Sequence, residues 1–311
     1  SYNAQPLDAK ILTSTGWIRM GNAKVGDSVI CPLGYESTIT GVYPKGKRPV
    51  YRITMQDGSS TMADIEHLWV VTNNNWRHMV NGKECKLVDA HPILHEYKVL
   101  STEKMLSIMK GKNYKNSRLH LPLTKPIEFK KTQSILVNPY ILGVLLGDGW
   151  CNKNGGAPYF VSMDSDIVEE VRKRLPTGFS LVEYNPECAG KAKVYRLAYM
   201  IVRVKSPMRD SMEHLGLAGK GAHDKFIPGS YLWGELETRT ELLQGLLDTD
   251  GSISSSGRIS FTTVSITLAE NMRQLVQSLG GAVVQATGKC FSPRKPKEGQ
   301  INRIAYFFRD L

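Results

Sequence analysis

NPYILGVLLGDG, residues 138–149, and TRTELLQGLLDTDG, residues 238–251, are the two stretches from which the organisation of the chain follows. Each is an apolar run that ends in Asp-Gly. The first has an Asn in the capping position and a Pro after it, which predicts a helix starting at Pro139. The two Asp-Gly pairs lie 102 residues apart. After the first come a strand (APYFVSMD), a helix (DIVEEVRKRL), strands (FSLVEY, KVYRLAYMIVRV) and a helix (PMRDSMEHLG). After the second come RISFTTVS, ITLAENMRQLVQSLG, GAVVQATG and NRIAYFFRDL in nearly the same order. The C-terminal part is therefore an internal repeat.

Helical geometry gives the repeat a centre. Gly143 and Gly147 share one face of the first helix, and Gly245 and Thr249 share one face of the second. Small residues on such a stripe let two backbones approach closely. Leu142, Leu145 and Leu146, with Leu243, Leu246 and Leu247, are then expected in the flanking core. Asp148 and Asp250 fall side by side at the helix C-termini, on a pseudo-twofold axis. An acid there is disfavoured by about 0.3–1 kcal/mol by the helix dipole, and two facing acids repel. Divalent cations reverse both effects, and carboxylate and carbonyl oxygens are hard ligands suited to Mg2+. One Asp-Gly pair would merely stop a helix. Two in matching contexts point to function.

The remaining composition narrows the class. The chain has 311 residues, enough for about two domains, and a formal net charge of +11. The basic surplus suggests a polyanionic partner. The longest apolar run, residues 135–147, contains Asn138 and Pro139 and is too short to span a bilayer. No signal or transit peptide is visible in the polar residues 1–5. Cys31, Cys85, Cys151, Cys188 and Cys290 are scattered without a CxxC pair, which excludes a disulfide scaffold and fits a reducing compartment. The expectation is a protein that is cytoplasmic, or located wherever its polyanionic partner is, and not secreted. Residues 98–131 hold nine basic groups and two acids. This segment, with Lys110, Lys112, Lys115 and Arg118, is expected either to lie along a phosphate backbone or to serve as a solvated linker. Ser101–Lys110 reads as a short capped helix.

ILGVLLGDG and LQGLLDTDG resemble the two motifs of a double-motif LAGLIDADG homing endonuclease. The first departs from the pattern at Leu146, where the motif has an acid. DKFIP resembles the Lys-x-Ile-Pro block of intein-borne members, and ITLAENMRQLVQSLGG resembles the helix that follows the second motif. The resemblance implies an αββαββα half occurring twice, with two curved sheets over duplex DNA. It implies Mg2+-dependent double-strand cleavage across the minor groove at a long pseudo-palindromic or asymmetric target, by a monomer. Asp148 and Asp250 would each serve one strand, with the carbonyls of Gly147 and Thr249 as further metal ligands and Lys225 as the charge-stabilising lysine. The lysine for the other strand would lie in SPRKPK (Arg294, Lys295, Lys297) or beyond Leu311. Lys191, Lys193 and Arg196, with Arg294, Lys295 and Lys297, are the expected DNA contacts of this part.

Residues 6–72 are rich in short β runs (KILTSTGWIRM, DSVICPLGY, STITGVYP, PVYRITMQDGSS, LWVVT) separated by turn residues. They resemble the N-terminal half of an intein splicing domain of the Hint type. DGSSTMADIEHLWVV matches the block that holds its histidine, and YKVLSTEKM the join to the endonuclease. His67 would polarise the scissile amide. Pro6 stands at the expected first position, Asp64 replaces a usual Thr, and Trp69 follows the His by two. Pro6 and Trp69 resemble the inteins that lack a first-residue nucleophile. The C-terminal splicing blocks are not found, so splicing by this chain alone is not expected. The overall expectation is an α+β chain. Residues 1–130 would form the partial splicing domain and basic linker, and 131–311 the endonuclease, with halves at about 138–220 and 221–311. A self-splicing protein with a decayed nuclease and a non-cleaving DNA or RNA binder are the other readings.

Overall fold

A computed structural model of the chain describes residues 3–73, 97–111, 119–129, 134–184, 192–201, 204–288 and 303–309. The chain divides into two units, residues 1–32 with 36–124 and residues 33–35 with 125–311.

The first unit is built of small antiparallel pieces. β1 (Lys10–Thr13) pairs with β2 (Gly16–Arg19), β3 (Ser28–Ile30) with β4 (Glu36–Thr38), and β5 (Val50–Thr54) with β6 (Ser60–Asp64). β7 (Leu68–Asn73) lies between β8 (Lys98–Ser101) and β9 (Leu119–His120). Two of the β runs expected from sequence are hairpins. KILTSTGWIRM turns at Gly16, with φ +114°, and the Thr13 hydroxyl donates to the Gly16 carbonyl at 2.7 Å. PVYRITMQDGSS turns at Gly58, with φ +85°. STITGVYP is a strand only over Glu36–Thr38, since Pro44, Pro49 and two glycines follow and a proline cannot donate to a ladder. α1 (Thr102–Lys110) is capped by the Ser101 hydroxyl, which accepts from the Lys104 amide. Few apolar side chains of this unit are fully enclosed, among them Ala63, Val71 and Met105.

The second unit follows the repeat. Its first half has α2 (Pro139–Asp148), β10 (Gly149–Trp150), β11 (Tyr159–Ser162), α3 (Ser165–Arg174), β12 (Phe179–Tyr184), β13 (Lys193–Tyr199) and α4 (Pro207–His214). A short α5 (Gly229–Leu232) leads to the second half: α6 (Leu236–Asp250), β14 (Gly251–Ile253), β15 (Ile259–Thr263), α7 (Ile266–Ser278), β16 (Ala282–Gly288) and β17 (Arg303–Arg309). Asn138 caps α2 by accepting from the Ile141 amide, with Pro139 in the first turn. Each half forms a four-stranded antiparallel sheet, ordered β10-β11-β13-β12 and β14-β15-β17-β16. The registers correspond, with Gly149 opposite Phe160 and Gly251 opposite Phe261.

The two motif helices meet at the centre of one continuous core. Leu142, Leu146, Leu242 and Leu246 are buried, and Leu247 packs at its edge. On the shared seam there is no room for a side chain. A Cβ on Gly143 would stand 2.5 Å from the Leu242 carbonyl oxygen, and one on Gly245 would stand 2.2 Å from that of Tyr140. The Asp-Gly glycines are equally constrained. A Cβ on Gly149 would lie 2.4 Å from Leu145 Cα, and one on Gly251 would lie 2.1 Å from the Leu247 oxygen. Each strand leaves its helix so abruptly that only glycine fits the corner.

Residues 125–129 take no regular structure, yet Ile127 and Phe129 are buried in this unit. They are held by Arg239, which is itself fully enclosed. Its guanidinium donates to the carbonyls of Gly234, Ser278 and Ile127 and to the Ser278 hydroxyl, and it lies over the Phe129 ring. Burial pushes its pKa down to about 10. The end of the basic stretch is thus part of the packed unit and not a solvated tether.

Candidate functional site

The polypeptide brings Asp148, Asp250 and Lys225 to the ends of the two central helices. Asp148 is the last residue of α2 and Asp250 the last of α6. Lys225 comes from the loop before α5, and that loop is pinned from the second half. Ser265, the cap of α7, donates its hydroxyl to the Lys225 carbonyl at 2.7 Å, and the Ile227 amide donates to Asn271 Oδ1 at 3.0 Å. The Lys225 side chain is 9% exposed and donates from Nζ to the Gly147 carbonyl at 2.6 Å. A lysine anchored in one half therefore closes on the helix end of the other.

The electrostatics show why these groups belong together. Burial lowers the Lys225 pKa, and the charges of Asp250 and Asp148 oppose that shift. Burial raises the pKa of the Asp148 carboxyl, and the Lys225 ammonium pulls it back. Gly147 and Thr249 touch across the seam, where a Cβ on Gly147 would stand 2.0 Å from Thr249 Oγ1. That hydroxyl is itself engaged with the Gly245 and Leu246 carbonyls at 3.0 and 3.1 Å. Among the described residues no group of three or more His, Cys, Asp or Glu side chains gathers to hold a metal ion alone. The donors present are two carboxylates and two carbonyls, all hard oxygens of the kind that suits a divalent cation such as Mg2+, although the Gly147 carbonyl already accepts from the Lys225 ammonium.

One neighbour was not singled out from sequence. Asp248, in the second motif only, accepts from the Tyr140 hydroxyl of the other helix at 2.7 Å. Arg174 lies 4.5 Å over the Tyr140 ring and is paired with Glu170. Burial, then the Asp248 carboxylate, raises the Tyr140 pKa. The signal was the mismatch between the motifs, Leu146 in the first against Asp248 in the second.

The expected DNA contacts separate. Arg196 and Lys193 are on opposite faces of the first sheet, three residues apart on β13, and Lys193 is paired with Glu183 at 2.9 Å. Lys110 is exposed at the end of α1. Lys112, Lys115, Arg118, Lys191, Arg294, Lys295 and Lys297 lie outside the described residues.

In the first unit His67 and Trp69 are 4.5 Å apart between ring centroids, and the Trp69 indole donates to Thr102 Oγ1 at 2.9 Å. His67 Nδ1 is enclosed without a hydrogen-bond partner. Burial lowers the His67 pKa, against a hydrogen bond to the Leu68 backbone and the Asp64 charge. The N-terminal segment runs beside them. The Ala4 carbonyl accepts from the Asp64 amide at 3.0 Å, Asn3 Oδ1 from the Leu68 amide at 3.0 Å, and the Pro6 carbonyl from the Ala9 amide at 3.0 Å. Asp64 is buried and paired with Arg48 at 2.5 Å.

Residues 237–283 match the family described as a LAGLIDADG-like domain. The replicative DNA helicase DnaB of Mycobacterium intracellulare is 25% identical over 89% of this chain and 42% of its own length. A DNA polymerase of Thermococcus litoralis is 26% identical over 45% of this chain and 8% of its own. The DnaB helicase of a Nostoc strain is 23% identical over 79% of this chain and 25% of its own. The chain thus spans less than half the length of these curated relatives. Among solved structures, I-DmoI in complex with its target DNA in the presence of Mn aligns with a TM-score of 0.37 and 9% identity, covering 55% of this chain and 86% of that one. Among the described residues no helix is long and apolar enough to cross a membrane.

Proposed function

We propose that this chain is a site-specific, metal-dependent DNA endonuclease of the homing type, borne on part of a protein-splicing domain. The single observation that supports it most is the seam itself. Two helices in backbone contact end in Asp148 and Asp250, with the Lys225 ammonium donating to the Gly147 carbonyl beside them. Asp148 and Asp250 would each hold a divalent cation toward one strand, with the Thr249 carbonyl as a further donor and the Gly147 carbonyl as another once Lys225 turns from it to the phosphate. The bound Mg2+ supplies an activated water and charge stabilisation at phosphorus. Lys225 presents its ammonium to the scissile phosphate and neutralises the negative charge that grows there. Both motifs occur in one chain, so a monomer suffices.

The relatives support the splicing part of this reading. A helicase and a DNA polymerase have different activities, yet each is matched over only a portion of its length. A segment shared by unlike hosts is what an inserted, self-excising element leaves. His67, Trp69 and the Asn3–Pro6 segment adjoin in the first unit, as the N-terminal splice junction would require. The enclosed Nδ1 of His67 keeps that ring available to the amide. Retention of both acids favours an active nuclease over a decayed one or a mere binder.

The test is cleavage of duplexes from a random plasmid library with and without Mg2+, using the chain and its Asp148→Asn, Asp250→Asn double variant. Metal-dependent linearisation of particular plasmids, lost in the variant, is expected. Linearisation that survives both substitutions overturns the assignment.

A further inference from the structure

The main chain around Lys225 is fixed on both sides. The Lys225 carbonyl accepts from the Ser265 hydroxyl at 2.7 Å, and further along the Ile227 amide donates to Asn271 Oδ1 at 3.0 Å. Upstream, the same loop is tied to the chain that leaves the first acid. The Gly219 amide donates to the carbonyl of Cys151, just past β10, at 2.7 Å, and the Asp224 amide closes a turn on the Gly221 carbonyl at 2.9 Å. The adjustable part is therefore the flexible four-carbon arm of the side chain. That arm is 9% exposed and ends on the Gly147 carbonyl at 2.6 Å.

The arm ends on an oxygen that a metal also needs. The Gly147 carbonyl is one of the hard oxygens beside Asp148 that suit a divalent cation. An ammonium and a divalent cation compete for it. Whichever lone pair the cation took, it would stand beside a positive charge in an enclosed place, where like charges repel strongly. Burial disfavours the ammonium, and the Asp250 and Asp148 charges favour it. The lysine thus supplies the opposite charge that the paired acids require. The competition concerns the first motif, whose carbonyl Lys225 holds, and Thr249 is the corresponding residue of the second. A phosphodiester oxygen carries a full charge that a carbonyl lacks, so a phosphate set within reach of the arm draws the ammonium off Gly147.

Resting on the endonuclease reading above, we propose that the Lys225 ammonium is a placeholder for the divalent cation at Asp148 and yields that position only to a seated phosphate. Metal loading in the first half is then a checkpoint on the DNA. A duplex held out of register leaves the lysine on Gly147, the Asp148 position stays without its cation, and that strand remains intact. The Asp250 position loads without this condition.

The experiment follows Mn2+ binding to the full chain by electron paramagnetic resonance. Asp250→Asn isolates the Asp148 position, and the Asp148→Asn, Asp250→Asn double variant gives the background from protein and DNA. The duplex is one selected by the chain from a random pool in EDTA. Without DNA, adding Lys225→Met to Asp250→Asn should tighten Mn2+ binding roughly 10- to 100-fold, the weight of one hydrogen bond from a charged group. The selected duplex should close most of that gap by tightening binding to Asp250→Asn itself, and a random duplex should not. Lys225→Met alone should meanwhile cleave more slowly, so metal affinity and rate move in opposite directions, which a merely structural lysine would not produce. Equal Mn2+ affinity with and without the ammonium overturns the proposal. So does a random duplex that loads the Asp148 position as well as the selected one, a comparison that stands even if Lys225→Met does not fold. A chain that binds neither Mn2+ nor any duplex overturns the endonuclease reading instead.

Discussion

Replacing Lys225 by Met isolates the role of one charge. Methionine keeps the length and apolar stem of the side chain but removes the ammonium that donates to the Gly147 carbonyl. Two effects on stability oppose one another. A hydrogen bond from a charged group contributes about 1.5–3 kcal/mol net, whereas burial, which lowers the Lys225 pKa, shows that enclosing its charge is itself costly. The loss and the relief largely offset, and the fold should change by less than about 1.5 kcal/mol, as in a volume-conserving exchange. Catalysis has no such offset. With the ammonium gone, the cation held at the Gly147 carbonyl is no longer there to meet growing negative charge. Cleavage should slow about 10²–10³-fold, the scale of losing one preorganised electrostatic group. Single-turnover cleavage of a selected duplex, with urea unfolding and DNA affinity measured on the same preparation, separates the two effects. A cleavage rate within twofold of the parent would show that Lys225 takes no part in the reaction. A large loss of stability with the rate per folded molecule unchanged would make it a structural lysine only.

Other expectations follow from the same geometry. Asp148→Asn and Asp250→Asn, made singly, should each abolish double-strand cleavage while leaving affinity within a few-fold. Nicked product from the retained acid on a supercoiled plasmid would be seen on gels, and full linearisation would contradict one acid per strand. Gly245→Ala forces a methyl against the Tyr140 carbonyl and should cost about 1–3 kcal/mol or more in urea unfolding, whereas Gly229→Ala, whose nearest neighbour is Trp233 at 3.8 Å, should be close to neutral. Arg239→Leu removes the donor from the enclosed Gly234 and Ile127 carbonyls and should destabilise the second unit by about 1–3 kcal/mol for each, with early hydrogen exchange at the Ile127 amide as the local sign. His67 should titrate below its ordinary 6.5, because burial disfavours its charged form. The unfolded chain then binds more protons between that lowered value and 6.5, so the first unit loses stability as pH falls through this window; an NMR midpoint at or above 6.5 would refute it.

Much of this molecule is legible in its residues because the signals are local. Asn138-Pro139, Ser101 and Ser265 are caps, and the leucine spacing fixes which side of each motif helix is buried. The close seam follows from Gly143 and Gly245, since a glycine stripe in an apolar helix has few other uses. What escaped the sequence depends on chain segments far apart. Lys225 could be matched to a block, but its grip on Gly147 exists only because Ser265 and Asn271 fix the loop that presents it. Asp248 looked like part of a motif, and only the approach of Tyr140 from the other helix gives it a partner. Residues 125–129 sit in a basic stretch whose composition suggests solvent. Two apolar side chains and a buried arginine from 112 residues later decide otherwise. In the first unit, turn glycines were visible, but the strands they join are too short for periodicity to distinguish one strand from two.

The glycine seam also acts as a gauge. The span between Asp148 and Asp250 is set by main chain resting on main chain at Gly143 and Gly245 and by Gly147 against the short Thr249 side chain, with no room for anything larger. In the proposed reaction that span dictates the stagger between the two cuts. The outer faces of the sheets, by contrast, are free of the seam and can exchange residues without moving either acid. Such a molecule can change the address it recognises while leaving the shape of the break untouched, so a lineage drifting among hosts would keep one kind of DNA end and vary only where it is made.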